Sequence, residues 1–133
     1  MLGMIAEKYG GSMKTFAPLA VNPDVSDFPE MLLEILQKSD GMMETMTNPI
    51  NGVCENIGWI IYPLSEIIKW TNFYHEEYGM QGTVFSDDGA GNPYYLKQDG
   101  KVYLLDCGEE TLVSDSLYEF FNKPLFVKGS KKL

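Results

Sequence analysis

The residues most suggestive of chemistry lie in the segment FSDDGAGNPYYLKQDGKVYLLD, Phe85 to Asp106, which combines acidic residues, glycines and aromatics. A glycine-rich turn could cradle a phosphate, since dinucleotide sites place G-x-G-x-x-G between a strand and a helix. Here Gly89 and Gly91 match only two of those glycines, and Pro93 opens a second strand where the helix should begin. A P-loop would also need Gly-Lys-Ser or Gly-Lys-Thr, which the sequence lacks. The pattern excludes both phosphate sites and favours a turn whose glycines serve the backbone.

A cation site is the second chemistry that this segment could support, because carboxylate and amide oxygens bind hard cations. In an EF-hand-type loop starting at Asp87, the third and fifth positions would be Gly89 and Gly91, which offer no side-chain ligand. Asp87, Asp88 and Asn92 could still gather round a weak cation, or they could bond to the backbone of their own turn. The sequence leaves these two alternatives open and assigns no metal site and no cofactor.

Nucleophilic catalysis would need a base beside a serine or cysteine. The single histidine, His75, lies in TNFYHEEYG, where the spacing predicts a partly exposed helical residue and not a base. Cys54 and Cys107 are too far apart for a C-x-x-C motif, and isolated cysteines are typical of buried thiols. One histidine and two distant cysteines do not make a zinc site. We therefore expect no catalytic residue.

Acidic residues occur in three adjacent pairs, which raises the question of a hydrolase with two working carboxylates. Such an enzyme needs two carboxyl groups that converge on one bond. Neighbouring residues on a helix or a strand point apart, so adjacent pairs are typical of solvated faces. The pairs are Glu76 with Glu77, Asp87 with Asp88, and Glu109 with Glu110. A small hydrolase with carboxylates from distant parts of the chain stays a remote alternative, and we expect no enzyme.

The charge balance favours a protein partner over nucleic acid. The 133 residues include 19 acidic and 10 basic side chains, all ten of them lysines, for a net charge of −9. Nucleic-acid binding depends on neutralising phosphates, for which arginine is the usual bidentate ligand. An acidic chain without arginine should instead meet a basic protein, since opposite fields accelerate association. No apolar run reaches the roughly 18 residues of a membrane span, and no signal peptide is recognisable, so we expect a cytoplasmic location and no membrane partner.

The first half of the chain contains one clear helix, in SDFPEMLLEILQKSDG. Its apolar residues follow helical spacing, Asp27 and Glu30 form a capping pair, and Gly41 can end it. A shorter helix is predicted in MIAEKYGG. Residues 42–56, MMETMTNPINGVCEN, are predicted to be a loop because Asn-Pro and Asn-Gly are turn dipeptides. The methionines of this segment are either core filler or an adaptable contact surface.

A strand and a second long helix are predicted to follow. IGWIIYP is rich in β-branched and aromatic residues, which is typical of a buried strand. The next helix is predicted to begin at a Ser65 cap and to end at Gly79. Its residues at helical spacing are Leu64, Ile67, Ile68, Thr71, Tyr74 and Tyr78.

The second half has the signals of a hairpin and a closing helix. GTVFS, PYYLK and KVYLLD predict three short strands, the last two joined by a two-residue turn at Asp99 and Gly100. CGEETLV is either a fourth strand or an arm. SDSLYEFFNKP predicts the closing helix, with Ser116 and Glu119 at capping-box spacing.

Together these elements indicate an α+β fold, a single domain in which helices pack on a mostly antiparallel sheet. The predicted divisions are an N-terminal segment without a clear assignment, 1–26, a domain, 27–122, and a C-terminal tail, 123–133.

The second half also resembles the SUKH superfamily, which includes the fungal Smi/Knr-type cell-wall regulator domain and many bacterial toxin-immunity proteins. The resemblance lies in FSDDGAGNPYYLKQDGKVYLLD followed by LVSDSLYEFF, and in the earlier helix FPEMLLEILQKSDGM. It covers roughly residues 27–122. Ala90 departs from the family's Ser-Asp-Gly-Gly-Gly pattern by replacing its middle glycine.

The resemblance implies a non-catalytic binding role. Immunity proteins of this group neutralise a cognate toxin, commonly a nuclease, in the cytoplasm, and a chain of charge −9 suits a basic toxin surface. A general regulatory interaction domain, as in the fungal relatives, is the alternative. The oligomeric state stays open.

The candidate partner-binding residues are acidic or amide side chains expected at the surface. Exposed Trp59 or Trp70 would make a better anchor than any carboxylate, but both are predicted to pack in the core. The candidates are Asp87, Asp88, Asn92, Glu76, Glu77, Glu109 and Glu110.

Overall fold

A computed structural model of the protein describes residues 2–9, 12–20 and 28–122. The helices in this part of the chain are α1 (Leu2–Tyr9), α2 (Glu30–Leu36), α3 (Leu64–Tyr78) and α4 (Leu117–Asn122). The strands are β1 (Met13–Thr15), β2 (Met42–Thr47), β3 (Cys54–Ile61), β4 (Thr83–Asp87), β5 (Pro93–Leu96), β6 (Val102–Asp106) and β7 (Glu109–Ser114). The α+β fold with antiparallel sheets is confirmed.

The strands form two antiparallel sheets that meet at one point. The first sheet has the order β1-β2-β3 and the second the order β4-β5-β6-β7. The N–H of Tyr62, just past the end of β3, donates to the carbonyl of Phe85 on β4 over 2.8 Å. The Ser86 hydroxyl adds a bond of 3.3 Å to the carbonyl of Trp59. These two contacts tie the end of β3 to β4.

One core joins both sheets and the helices. Phe85 and Tyr95 are fully buried on neighbouring strands, and the ring of Phe85 meets those of Phe120 and Phe121 on α4 at centroid distances of 5.4 and 6.1 Å. On the other side, α3 rests on β4, where the Thr71 hydroxyl accepts the Val84 N–H over 2.9 Å. Further large, fully buried side chains come from all four helices and from β2 and β3: Ile5, Leu32, Ile35, Leu36, Met42, Ile61, Ile67 and Leu117.

The segment 42–56 is not a loop, and that prediction was wrong. It supplies all of β2 and the start of β3, which form a hairpin whose turn carries the expected Asn-Pro and Asn-Gly dipeptides. Bulges between Met42 and Met43 and between Glu44 and Thr45 break the alternation by which a strand is recognised. As a result Met42 and Thr45 are buried while Met46 is 51% exposed, so the methionines divide between core and surface.

The start of α3 and the end of α2 also differ from the sequence prediction. Helix α3 begins at Leu64 and not at a Ser65 cap, because the carboxylate of Asp40 accepts the Leu64 N–H over 2.8 Å. A distant side chain has taken the role that local sequence assigned to the serine. Helix α2 ends at Leu36, before Gly41, and the proposed capping residue Asp27 lies outside the described residues. The predicted end of α3 at a left-handed Gly79 is confirmed.

The second half follows the prediction closely, except that the two-residue turn joins β6 to β7 and not β5 to β6. The three predicted strands are β4, β5 and β6. CGEETLV contributes a fourth strand, β7, which begins at its first glutamate, and the Ser116 hydroxyl accepts the Glu119 N–H over 3.0 Å at the start of α4. The β5–β6 connection is not a two-residue turn, since Lys97 pairs with Lys101 and leaves three residues between them. The two-residue turn joins β6 to β7, where Cys107 and Gly108 both have positive φ, 52° and 84°, as a type I′ turn requires.

The N-terminal residues are attached to the core by packing and by hydrogen bonds that their backbone N–H groups donate. Ile5 of α1 is fully buried. Further along, the N–H of Leu19 donates to the carbonyl of Leu36 over 2.8 Å, and that of Phe16 donates to the hydroxyl of buried Ser39, also over 2.8 Å. Among the described residues, no helix is long and apolar enough to cross a membrane.

Candidate functional site

The loop between β4 and β5 is held by its own side chains. One carboxylate oxygen of Asp88 accepts the N–H groups of Ala90 and Asn92 over 2.8 and 3.1 Å, and the other accepts the Asn92 amide over 2.9 Å. The Asp88 N–H returns a bond of 3.0 Å to the Asn92 carbonyl. Asp88 and Asn92 therefore do the local work that turn chemistry predicts. Within the described residues there is no group of three or more His, Cys, Asp or Glu side chains that could bind a metal ion.

Asp87 links this loop to the first sheet. Its carboxylate accepts the Tyr62 hydroxyl over 2.6 Å and the Gly89 N–H over 2.8 Å. Burial, the hydrogen bond to Asp87 and the charge of that carboxylate raise the pKa of Tyr62 far above its ordinary value of 10.0. Burial and the same loop carboxylates also raise the pKa of Tyr94, and burial, Tyr78 and these carboxylates raise that of Tyr74. Three tyrosines thus flank the loop and stay protonated well into the alkaline range.

Replacing Tyr62 with phenylalanine should lower the free energy of unfolding by about 1–3 kcal/mol near neutral pH, because Asp87 loses a hydrogen-bond donor. The difference from the wild type should narrow as the pH rises past 10. The pKa of Tyr62 is higher in the folded protein than in the unfolded chain. Its hydrogen bond therefore stabilises the fold fully below the unfolded pKa of Tyr62, and this stabilisation is lost as the pH rises toward the folded pKa. Urea unfolding at neutral pH and about one unit above pH 10 measures both effects. Exposed Tyr118→Phe is the control, and an equal loss there at neutral pH would contradict the role of the Tyr62–Asp87 bond.

The second feature near the loop is a row of aromatic side chains on α3, which we call the aromatic stripe: Trp70, Phe73, Tyr74 and Tyr78. Successive rings touch, with centroid distances of 5.6 Å for Trp70 to Phe73, 5.1 Å for Phe73 to Tyr74 and 5.7 Å for Tyr74 to Tyr78. The Tyr74 hydroxyl lies 3.5 Å from the Gly91 carbonyl, so the stripe borders the β4–β5 loop.

The aromatic stripe is more exposed than its helical spacing indicated. Phe73 is 43% exposed and Tyr78 is 58% exposed, whereas Trp70 and Tyr74 are half-buried. Helix α3 buries only Ile67 fully, so the helical spacing that aligns Tyr78 with Ile67 does not bury Tyr78. Trp59 and Trp70 both pack against the core while remaining partly accessible.

Glu76 and Glu77 are both exposed, as predicted, but they occupy different sides of α3. Glu77 follows Tyr74 by three residues and Phe73 by four, so it lies on the aromatic stripe. Glu76 follows Phe73 by three residues and so borders that ring, while the helical rotation turns it away from Trp70, Tyr74 and Tyr78.

Glu109 and Glu110 lie at the start of β7. The Glu110 carboxylate accepts the Tyr95 hydroxyl over 2.7 Å and forms an ion pair with Lys97 over 3.2 Å, so it is already paired within the chain. Glu109 stands opposite Asp106 across the β6–β7 turn. Because the strands are antiparallel, this turn and the β4–β5 loop lie at the same end of the four-stranded sheet.

The nucleophilic candidates are not assembled for catalysis. The His75 ring nitrogen Nδ1 lies 3.1 Å from the Met80 carbonyl, which fits a proton donated to the chain just after α3. Both cysteines are exposed, so the expectation of buried thiols was wrong: Cys54 begins β3 beside the hairpin turn, and Cys107 lies in the type I′ turn. The hydrogen bond to Asp106 and the charge of that carboxylate raise the pKa of the Cys107 thiol, which disfavours the reactive thiolate.

Comparison with known proteins adds one result to this geometry. The model of the SMI1 / KNR4 family (SUKH-1) matches residues 26–123. No match was found among curated proteins or among solved structures. The matched residues contain α2, strands β2 to β7, α3 with its aromatic stripe, and α4. The chain belongs to the SMI1/KNR4 family, SUKH-1.

Proposed function

We propose that this chain is a non-catalytic binding domain that neutralises a basic protein toxin, of the nuclease type, in the cytoplasm. Its family includes toxin-immunity proteins, which makes binding the expected role. The observation that carries the proposal is the net charge of −9 without a single arginine. A nuclease must be basic where it grips nucleic acid, and an acidic partner that covers this surface competes with the phosphates.

The placement of the candidate residues supports binding over catalysis. Asp87 and Asp88 are fixed by hydrogen bonds to a tyrosine and to their own turn, so they present their charge from a rigid loop. Rigid display lowers the entropy lost when a partner binds. Acid–base chemistry would instead need a carboxyl group aimed at a substrate and poised near neutral pH.

Binding to the toxin encoded beside this chain's gene should be strongly salt-dependent. Raising the salt concentration from about 0.05 to about 0.3 M should slow association at least tenfold and change dissociation much less, because screening weakens steering before contact. Stopped-flow association and the residual toxin activity in the same titration measure this. Sucrose at matched viscosity is the control for diffusion. Failure to form a complex with that toxin at low salt would contradict the immunity role.

A regulatory interaction domain is the second candidate, since the matching family model carries the name of the SMI1/KNR4 proteins. A gene with no toxin gene beside it, together with capture of a cellular basic protein that carries no toxin activity, would favour this role.

A further inference from the structure

The aromatic stripe is the largest set of touching, accessible aromatic side chains that α3 presents. A helix that packed fully on its sheet would bury these rings, yet Phe73 and Tyr78 are 43% and 58% exposed. Contiguous exposed aromatic surface is characteristic of sites that meet a partner. The rings hold one another in contact, so the surface is formed before any partner arrives.

Carboxylates surround this surface. The Trp70 indole N–H donates to Glu66 over 3.1 Å, which places one carboxylate at the first ring of the stripe. Glu77 lies one helical turn after Phe73 and Tyr74, on the same side of α3. The charges of Asp87 and Asp88 act on Tyr74 from the loop. A purely apolar partner would desolvate these carboxylates without supplying hydrogen bonds or opposite charge to compensate for the cost. The aromatic stripe is therefore suited to a planar, positively charged group of the partner.

A cation already uses one ring of the stripe. The ammonium nitrogen of Lys69 lies 4.9 Å from the centre of the Trp70 ring, within the range of a cation–π contact. One face of Trp70 is thus open to a cation from the same helix.

Arginine fits these requirements better than lysine. Its planar guanidinium stacks on an aromatic face while its N–H groups bind a carboxylate in bidentate fashion. The ammonium group of lysine is more strongly hydrated and cannot do both. We propose that the aromatic stripe, with Glu66, Glu77 and the β4–β5 loop at its rim, binds an arginine-bearing segment of the partner protein. This inference rests on the proposed function for its partner and adds the surface and the recognised side chain.

The first test needs no toxin. The ¹⁵N-labelled chain is titrated with a short Arg-Gly repeat peptide and with a Lys-Gly peptide of the same length and charge. The arginine peptide should bind at least about threefold more tightly and shift the Trp70 indole N–H signal well before that of Trp59. Equal affinities, or shifts scattered over the carboxylates with Trp70 unmoved, would overturn the inference.

Paired variants locate the site. Glu77→Gln and Tyr78→Ala should each weaken arginine-peptide binding about three- to tenfold. Glu55→Gln loses the same charge at an exposed position on β3, and Tyr118→Ala removes a ring that is equally exposed, 57% against 58%, on α4. Both controls should bind as the wild type does. A control that weakens binding as much as its partner variant would show that the stripe is not the site.

The same four variants with the toxin separate the two proposals. If the toxin binds and Glu77→Gln and Tyr78→Ala match the wild type, the surface is wrong and the immunity role stands. If the wild type binds the arginine peptide at the stripe but not the toxin, the surface stands and the immunity role fails. Thermal unfolding of each variant confirms that the exposed substitutions leave the fold intact.

Discussion

Replacing Gly82 with alanine is expected to lower the free energy of unfolding by about 3–5 kcal/mol, through a strained backbone and an overpacked contact together. Gly82 precedes β4 with φ at +135°, a conformation that side-chain-bearing residues rarely adopt. A Cβ at this position would lie 2.9 Å from the Leu96 carbonyl oxygen and 3.0 Å from the Tyr95 ring. Both neighbours belong to β5 and Tyr95 is fully buried, so neither can move aside without disturbing the sheet. Urea unfolding measures the loss.

Gly89→Ala is the matched control, because it makes the same chemical change at another positive φ, +83°, with no atom within 4 Å of the new Cβ. It should cost only about 1–2 kcal/mol, the strain of the left-handed backbone alone. The difference between the free-energy losses of the two variants measures the cost of the contact that the new Cβ makes with Leu96 and Tyr95. Equal losses would mean that backbone conformation, and not contact with Leu96 and Tyr95, accounts for the glycine at position 82.

The second half of the chain could be predicted because its signals are local. Turn glycines, alternating strands and a capping serine each act within a few residues, and β4 to β7 and α4 appear where these signals lie. The exchange of turn types shows the limit of this reasoning. An Asp-Gly pair suits both a two-residue turn and the bulged three-residue connection that Lys97 and Lys101 close. In this chain the pairing of Lys97 with Lys101 gives the longer connection, and Cys107 has the positive φ in the next turn.

The first half was harder to predict because distant residues complete its elements. The two bulges of β2 interrupt the alternation of buried and exposed side chains that would mark it as a strand. Its partner strand, β3, follows a turn whose sequence is also typical of loops. Likewise, the cap of α3 comes from Asp40, 24 residues before the N–H that it accepts. No window centred on Ser65 contains this information. Such long-range contacts override local propensity.

The candidate site was predicted in part. The sequence marked Asp87, Asp88 and Asn92 as loop residues, and the structure brings them together with three tyrosines from other elements. It missed the aromatic stripe, because helical spacing shows which residues share a side and not how far the opposing sheet extends. Four aromatics within nine residues of α3, beside Glu66 and Glu77, were the available signal.

Replacing Phe85 with alanine is expected to cost about 3–5 kcal/mol, since truncation of a buried aromatic leaves a cavity that the surrounding core fills only in part. Phe85 is fully buried on β4 and touches both Phe120 and Phe121 of α4. The backbone of Phe85 also joins the two sheets through the bond from Tyr62. The loss should therefore spread from the core to α4, which is only six residues long and depends on packing for its stability.

Phe73→Ala makes the same substitution on the aromatic stripe and provides the comparison. Phe73 is 43% exposed, so its removal leaves no closed cavity and should cost about 1 kcal/mol or less. Amide exchange adds a local readout: the Phe120 N–H, bonded to the Ser116 carbonyl over 3.0 Å, should lose protection in Phe85→Ala and keep it in Phe73→Ala. Equal protection of Phe120 in both variants would show that α4 is anchored without Phe85.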